Sequence, residues 1–284
     1  MFRLINHSGR ATLVVNDQRF DLAALSGDAA MADPMVALAR HHELHALSAS
    51  TVGLAADGPV EIAALRAPVP APTKVFAIGL NYADHAAESN ISLAPAPMTF
   101  TKFQNCICAP NSDIALSGPT VDWEVELVVV IGDRCRNVTR EEAWDHVAGL
   151  TLGQDISDRA LQLTGTPAQF SLGKSFDTFG PIGPAVVSTD SFDDREQINL
   201  WCDVSGRRVQ TGNTRDMIFP VAQLVSYLSS ICTLEAGDII FTGTPSGVGM
   251  ASGTFLVAGD SLVSGADVIG GFTNRCVEGT GAVL

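Results

Sequence analysis

Hydrophobic and polar positions alternate most clearly between Val121 and Gly132, in the run Val-Asp-Trp-Glu-Val-Glu-Leu-Val-Val-Val-Ile-Gly. β-Branched and aromatic residues at this spacing predict a strand. Strand side chains point alternately to two faces. Val121, Trp123, Val125 and Leu127 therefore share one face, and Asp122, Glu124 and Glu126 share the other. After Glu126 both faces turn apolar, the pattern of a strand running into a core.

The same reading extends along the chain. Residues 1–24 form short strands with turns at His7-Ser8-Gly9 and Asn16-Asp17-Gln18. Ala32–Leu47 reads as a helix started by Asp33 before Pro34. Three prolines within Arg66–Thr73 mark a stiff linker. A boundary there separates a small α+β domain (1–70) from a larger one (71–284). Val75–Ile78 is a strand ending in Gly79-Leu80-Asn81-Tyr82, and Ala83–Ser89 is a short helix or lid. Met98–Phe103 and Asp113–Leu116 are further strands. A helix near Thr139–Val147 has Thr139 as cap and Glu142 three residues on. Leu150–Gln154 is a strand presenting Asp155, and Ser157–Leu163 is a helical turn. Past Gly173 strands and glycine turns dominate, with one helix in Met217–Ser229. Many short strands and few helices predict a mostly β fold with some α.

Composition changes this picture only in part. With 46% hydrophobic and 17% charged residues, the 284-residue chain is ordinary for a globular protein. Its net charge of −14 argues against nucleic-acid or anionic-membrane partners, which select basic surfaces. The apolar runs fall short of a membrane span. The six cysteines include no C-x-x-C pair, and the start lacks a signal-peptide core. They read as reduced, mostly buried thiols of a cytoplasmic protein.

The chemistry concentrates on the acidic face of the central strand. Carboxylates two residues apart on a nearly buried strand repel and lose hydration, so they must be protonated, paired with a base, or bound to a cation. No Lys or Arg lies on the segment, which favours a divalent metal on Glu124 and Glu126. Asp155, at the next strand end, either completes a three-oxygen site suited to Mg²⁺ or Mn²⁺ or caps the turn at Ser157.

His85 and Glu88, at i and i+3, meet on one helical face and make a general base for water, or else an exposed surface pair. Lys174, between Gly173 and two phenylalanines, suits a carboxylate or oxyanion. Gly173-Lys174-Ser175 is not a phosphate loop, because Ala168 stands where that motif requires glycine. Arg159 and Gln162, one turn apart, offer a carboxylate clamp and a polar contact. Gly243–Gly249 offers backbone N–H groups as an anion cradle. His41, His42 and His45 read as a solvated helix face, since no acidic partner set lies nearby in sequence.

Seven stretches, in order, resemble the fumarylacetoacetate hydrolase family: IGLNYADHAAE (78–88), FTKF (100–103), DWEVELVVVIG (122–132), GQDISDR (153–159), GKSFDTFGPIGP (173–184), GNTRDMIF (212–219) and GDIIFTGTPSGVG (237–249). The resemblance implies a mixed β-sandwich roll, usually a homodimer, with residues 1–70 as a variable N-terminal domain. It implies metal binding by Glu124, Glu126 and Asp155, with Mg²⁺ usual and Mn²⁺ accepted. His85 and Glu88 match a water-activating pair on a lid. Lys174, Arg159 and Gln162 match residues around the substrate's oxoacid end, and Lys102, Tyr82 and Thr244 match further pocket positions. The lid at 89–95 and Leu163–Gln169 diverge, and both face substrate in this family. The implied reaction is hydrolytic C–C cleavage of a small 2,4-dioxo acid (an acylpyruvate, such as fumarylpyruvate or a 2,4-dioxo-3-deoxy sugar acid). Decarboxylation of a 2-oxo diacid such as oxaloacetate, hydratase or isomerase chemistry on a 2-oxo-dienoate, and non-catalytic oxoacid binding are the rivals.

Overall fold

In the computed structural model, residues 1–88 and 95–279 are described. The chain opens with an antiparallel meander, β1 (Arg3–His7), β2 (Arg10–Val15) and β3 (Gln18–Asp21), followed by helices α1 (Pro34–Ala39) and α2 (His41–Ser50). The single helix expected over 32–47 is thus broken. Asp33 caps α1 as expected, accepting from the Met35 N–H with Pro34 in the first turn. Arg40, however, leaves helical geometry (φ −114°, ψ 27°) while its guanidinium reaches Asp28 and Glu43.

Beyond the linker come β4 (Val75–Gly79), α3 (Ala83–Glu88), β5 (Met98–Thr101), β6 (Val125–Ile131) and β7 (Val147–Gln154). The lid segment beyond Glu88 lies largely outside the described residues. Two short helices, α4 (Arg159–Gln162) and α5 (Phe170–Gly173), precede β8 (Gly180–Val187), β9 (Asn199–Val204) and β10 (Arg207–Asn213). Helix α6 (Val221–Ile231) then leads to β11 (Ile239–Phe241), β12 (Ser261–Ala266) and β13 (Gly270–Glu278). The capping pair Thr139–Glu142 forms, but it starts no α-helix: only a 3₁₀ turn over Ala143–His146 fits before β7 begins at Val147.

The larger sheet runs β3-β2-β1-β8-β7-β6-β11-β4-β5 and is eleven-stranded once Leu65–Arg66 and Ile107–Cys108 are added at its side. A second, five-stranded sheet runs β10-β9-β12-β13 with Ile114–Leu116 at its edge. Neither sheet closes on itself, and the fold is mostly strand with some helix, as the pattern predicts.

β6 sits centrally, antiparallel to β7 and β11, with Val128 opposite Thr151 on one side and Phe241 on the other. Its alternation sorts into two cores. Val125, Leu127, Val129 and Ile131 join the core that includes Leu200, Cys202, Leu262 and Phe272 of the second sheet. Val128 and Val130 join the core of Phe2, Leu4, Leu38 and Leu44 on the opposite face. Burying each such side chain stabilises the fold by about 1.5–3 kcal/mol.

The predicted central strand is two strands rather than one. Val121–Asp122 pairs with Ser157–Asp158, and β6 begins only at Val125. At the break, the Glu124 and Val125 N–H groups donate to the side-chain oxygens of Gln154 (2.9 Å) and Gln210 (3.0 Å). Two buried amides therefore satisfy backbone that the sheet ladder leaves open. All six cysteines are free. Among the described residues no helix is long and apolar enough to cross a membrane.

Candidate active site

The break in the strand sets three carboxylates together. Glu124, Glu126 and Asp155 are buried, and each offers an oxygen within 4.8 Å of the others. Asp155 does not cap the following helix: Asp158 does, accepting from the Leu161 N–H. Asp122, predicted to share the acidic face, leaves the trio. It accepts from the Gly249 (2.6 Å) and Met250 (2.9 Å) N–H groups and pairs with Arg159.

The lack of bases on the segment proves no guide to pairing, because bases arrive from elsewhere. Lys174 Nζ bridges Glu124 Oε2 and Asp155 Oδ2, 2.8 Å from each. Lys102 Nζ lies 2.7 Å from Asp155 Oδ1, and Arg159 Nη1 lies 2.7 Å from Glu124 Oε1. Burial would raise the Glu124 pKa, but Lys174 and Arg159 outweigh it and bring it down to about 2. Glu126 behaves oppositely. Burial, with Asp155 and Glu124 adding like charge, pushes it well above the usual carboxylate range. Its side chain accepts the Gly243 N–H at 2.7 Å, and no ion pair to it occurs among the described residues. Four buried carboxylates (Asp122, Glu124, Glu126, Asp155) thus meet three cations (Lys102, Arg159, Lys174), and Glu126 is the acid left without one among the described residues. Three hard oxygens, one from an acid with no cation of its own, fit a divalent cation such as Mg²⁺ or Mn²⁺.

A cavity of about 90 Å³ lies over this wall, lined by Glu124, Lys174, Arg159, Gln162, Thr244 and His85. His85 is buried and its Nδ1 lies 3.4 Å from Glu88 Oε2, so the pair is not a solvated surface pair. Gln162 accepts from Arg159 Nη1, and Thr244 Oγ1 donates to the Val125 carbonyl. Tyr82 is buried, its hydroxyl has no partner among the described residues, and it is not among the described residues lining this cavity. A larger cavity, about 690 Å³ between β1 and the second sheet, is lined by none of the predicted site residues.

The glycine turn departs from its expected role. Its N–H groups go to the protein's own acids: Gly243 to Glu126, Gly247 to Glu88 (3.2 Å to each oxygen), and Ser246 to Asp84. An anion cradle for substrate is therefore not available there. Gly243 has φ +96°, and a Cβ at this position would come within 2.7 Å of the Asn81 Cβ. Asn81 was missed by pattern reading. Fully buried, it bonds the Phe219 and Thr242 carbonyls and accepts from the Phe219 N–H, fixing the turn from β4 into the lid helix. Gln154 and Gln210 were missed as well. A polar amide closing the apolar run Leu150–Gly153 was the one signal for Gln154.

The histidine cluster also differs from expectation. His41 is buried, not solvated, and Asp133 from beyond β6 supplies the acidic partner that sequence proximity did not show. His45 turns instead to the terminal amine and Asp190.

Comparison with known proteins places this geometry. The family model for the fumarylacetoacetate (FAA) hydrolase C-terminal domain matches residues 74–277. A crystal structure assigned provisionally to HpcE from Mycobacterium smegmatis is 42% identical, covers 97% of this chain and 99% of its own, and superposes with a TM-score of 0.89. Maleylpyruvate hydrolase from Sphingobium sp. SYK-6, solved with manganese(II) and pyruvate, is 30% identical over 98% of this chain and 100% of its own, with a TM-score of 0.82. A provisionally named hydrolase from Burkholderia cenocepacia is 50% identical over 179 residues, 62% of this chain, and the match spans 63% of that relative's length. The class so defined holds enzymes of small oxo acids, hydrolases and isomerases among them. Within that class, the chain belongs to the fumarylacetoacetate hydrolase family.

Proposed function

We propose that this chain is a divalent-metal-dependent hydrolase that cleaves the C3–C4 bond of a 2,4-dioxo acid to pyruvate and a carboxylic acid. One observation carries the reading: Glu124, one of a buried carboxylate trio, lines a cavity together with a histidine held by a glutamate. The pyruvate and manganese(II) found together in the Sphingobium relative support it.

Glu124, Glu126 and Asp155 would hold the ion, Mg²⁺ or Mn²⁺. When bound, it supplies a Lewis acid for the oxoacid oxygens and for the negative charge that develops as the bond breaks. Glu88 faces His85 Nδ1, which leaves Nε2 to take a proton from water. The hydroxyl bonds to C4, the C3–C4 pair moves to C3 as an enolate, and a proton returns there to give pyruvate. Lys174 and Arg159 keep positive charge beside the oxoacid end throughout. A homodimer acting on a small dissolved substrate in the cytoplasm completes the proposal, and light scattering checks the dimer.

The test scores pyruvate and CO₂ separately after Mg²⁺-loaded protein meets 2,4-dioxo acids and oxaloacetate. The expected outcome is pyruvate from the former, falling 10²–10⁴-fold in His85→Ala. CO₂ release from oxaloacetate that survives His85→Ala, with no acylpyruvate cleavage by the wild type, would replace hydrolysis with decarboxylation.

A further inference from the structure

The next inference rests on the proposed reaction and concerns its acyl group. The lining of the cavity is of two kinds. Its cations, Arg159 and Lys174, are both already bonded to acids. The apolar lining includes Met98 and Phe100 of β5, Leu163 after α4, Phe170 opening α5, and Met250. Phe170 meets Phe100 edge-on, with ring centroids 5.7 Å apart and planes at 70°. Met98 lies against β4 where residue 79 is glycine; a Cβ there would come within 3.1 Å of its sulfur. The Lys174 ammonium sits 5.1 Å from the Phe100 ring centroid, so that ring adjoins both kinds of lining. Among the described residues lining the cavity, Arg159 and Lys174 are the only lysine or arginine.

We infer that this apolar lining is an acyl subsite for an uncharged, apolar group. The chain then prefers 2,4-dioxo acids carrying alkyl or aryl acyl groups over those ending in a second carboxylate. A carboxylate pressed against methionine and phenylalanine loses its hydration and finds no free cation in return. An apolar group of the same length gains from each carbon it buries, on the order of tenfold in kcat/KM per methylene. Methionines on two edges let the wall adapt to tails of different shape.

The experiment uses the full-length, Mn²⁺-loaded protein and matched pairs of acylpyruvates of equal length, one ending in methyl or phenyl and one in carboxylate. Pyruvate release should favour the apolar member by at least about tenfold in kcat/KM. Leu163→Arg, at a half-exposed position, supplies a cation without burying it and should shift the ratio toward the diacid by about tenfold or more. A second readout does not need turnover: protection against thermal unfolding by uncleavable 2-oxo acids bearing the same tails should follow the same order. Equal or better handling of the diacid in both assays, or a ratio unmoved by Leu163→Arg, overturns the subsite. Failure of every acylpyruvate to release pyruvate sinks the reaction instead, and the protection order still tests the subsite.

Discussion

Glu124, Glu126 and Asp155 gather in the interior, whereas His41, His42 and Asp133 meet near the surface; in both groups the candidate ligand atoms fall within 4.8 Å of one another. Distance alone does not separate them, but charge and surroundings do. In the interior group three cations are too few for four carboxylates, and Glu126 is left without one among the described residues. In the surface group His42 Nε2 lies 2.8 Å from Asp133 Oδ2, so the acid already has its partner. The His41 ring fills the space beside Gly132, where a Cβ would come within 2.5 Å of it. Packing and pairing account for the second cluster without an ion. A buried acid left without a cation is the better mark of a cation seat.

The sharpest way to break this contrast is a paired substitution. Glu126→Gln should abolish Mn²⁺ binding and lower kcat/KM by about 10³-fold or more, while Asp133→Asn leaves both near wild type. Calorimetry and pyruvate release measure the two, and metal retained by Glu126→Gln would undo the distinction. Lys174→Met comes next. Removing a cation proposed to face the oxoacid should cost about 10²–10³-fold in kcat/KM with Mn²⁺ binding kept. If that variant instead loses the ion, Lys174 serves the seat rather than the substrate.

Stability draws the same line more gently. Asn81→Ala leaves buried backbone groups without partners and should destabilise by about 3 kcal/mol in urea unfolding. His42→Ala, on a largely exposed side chain, should stay within about 0.5 kcal/mol. The smallest effect is the pH response of His41. Burial first, then the charge of His42, lowers its pKa, against the pull of Asp133. The unfolded chain takes up that proton near pH 6.5 and the folded chain only below it. The stabilisation is therefore complete above about pH 6.5 and lost as pH falls toward the folded-state value. His41→Gln should flatten the fall in Tm between about pH 7 and 5 relative to wild type; an unchanged slope assigns that fall to other groups.

Pattern reading recovered the central strand because a period of two needs only two faces, and both cores honour it from Val125 to Ile131. It singled out Glu124, Glu126 and Asp155, which the fold brings within 4.8 Å of one another, because buried carboxylates demand an explanation. It could not see what answers them. Lys174 reaches Glu124 across 50 positions and Arg159 reaches Asp122 across 37. The absence of local bases was therefore true of the segment and irrelevant to the fold. Nor could it see that Trp123 and Glu124 step out of the ladder, since two distant glutamines make that step affordable. The glycine turn was visible as a set of N–H donors, but which acids they serve depends on tertiary approach.

That turn ties together parts that would otherwise move separately. Gly243 holds the acid of β6, Gly247 and Ser246 hold Glu88 and Asp84 of the lid helix, and Gly249 holds Asp122. One short loop thus keeps the proposed proton acceptor and the proposed ion seat in a common frame. A lineage of such chains can exchange Leu163 or Phe170 to suit new tails while the reacting atoms keep their relative positions.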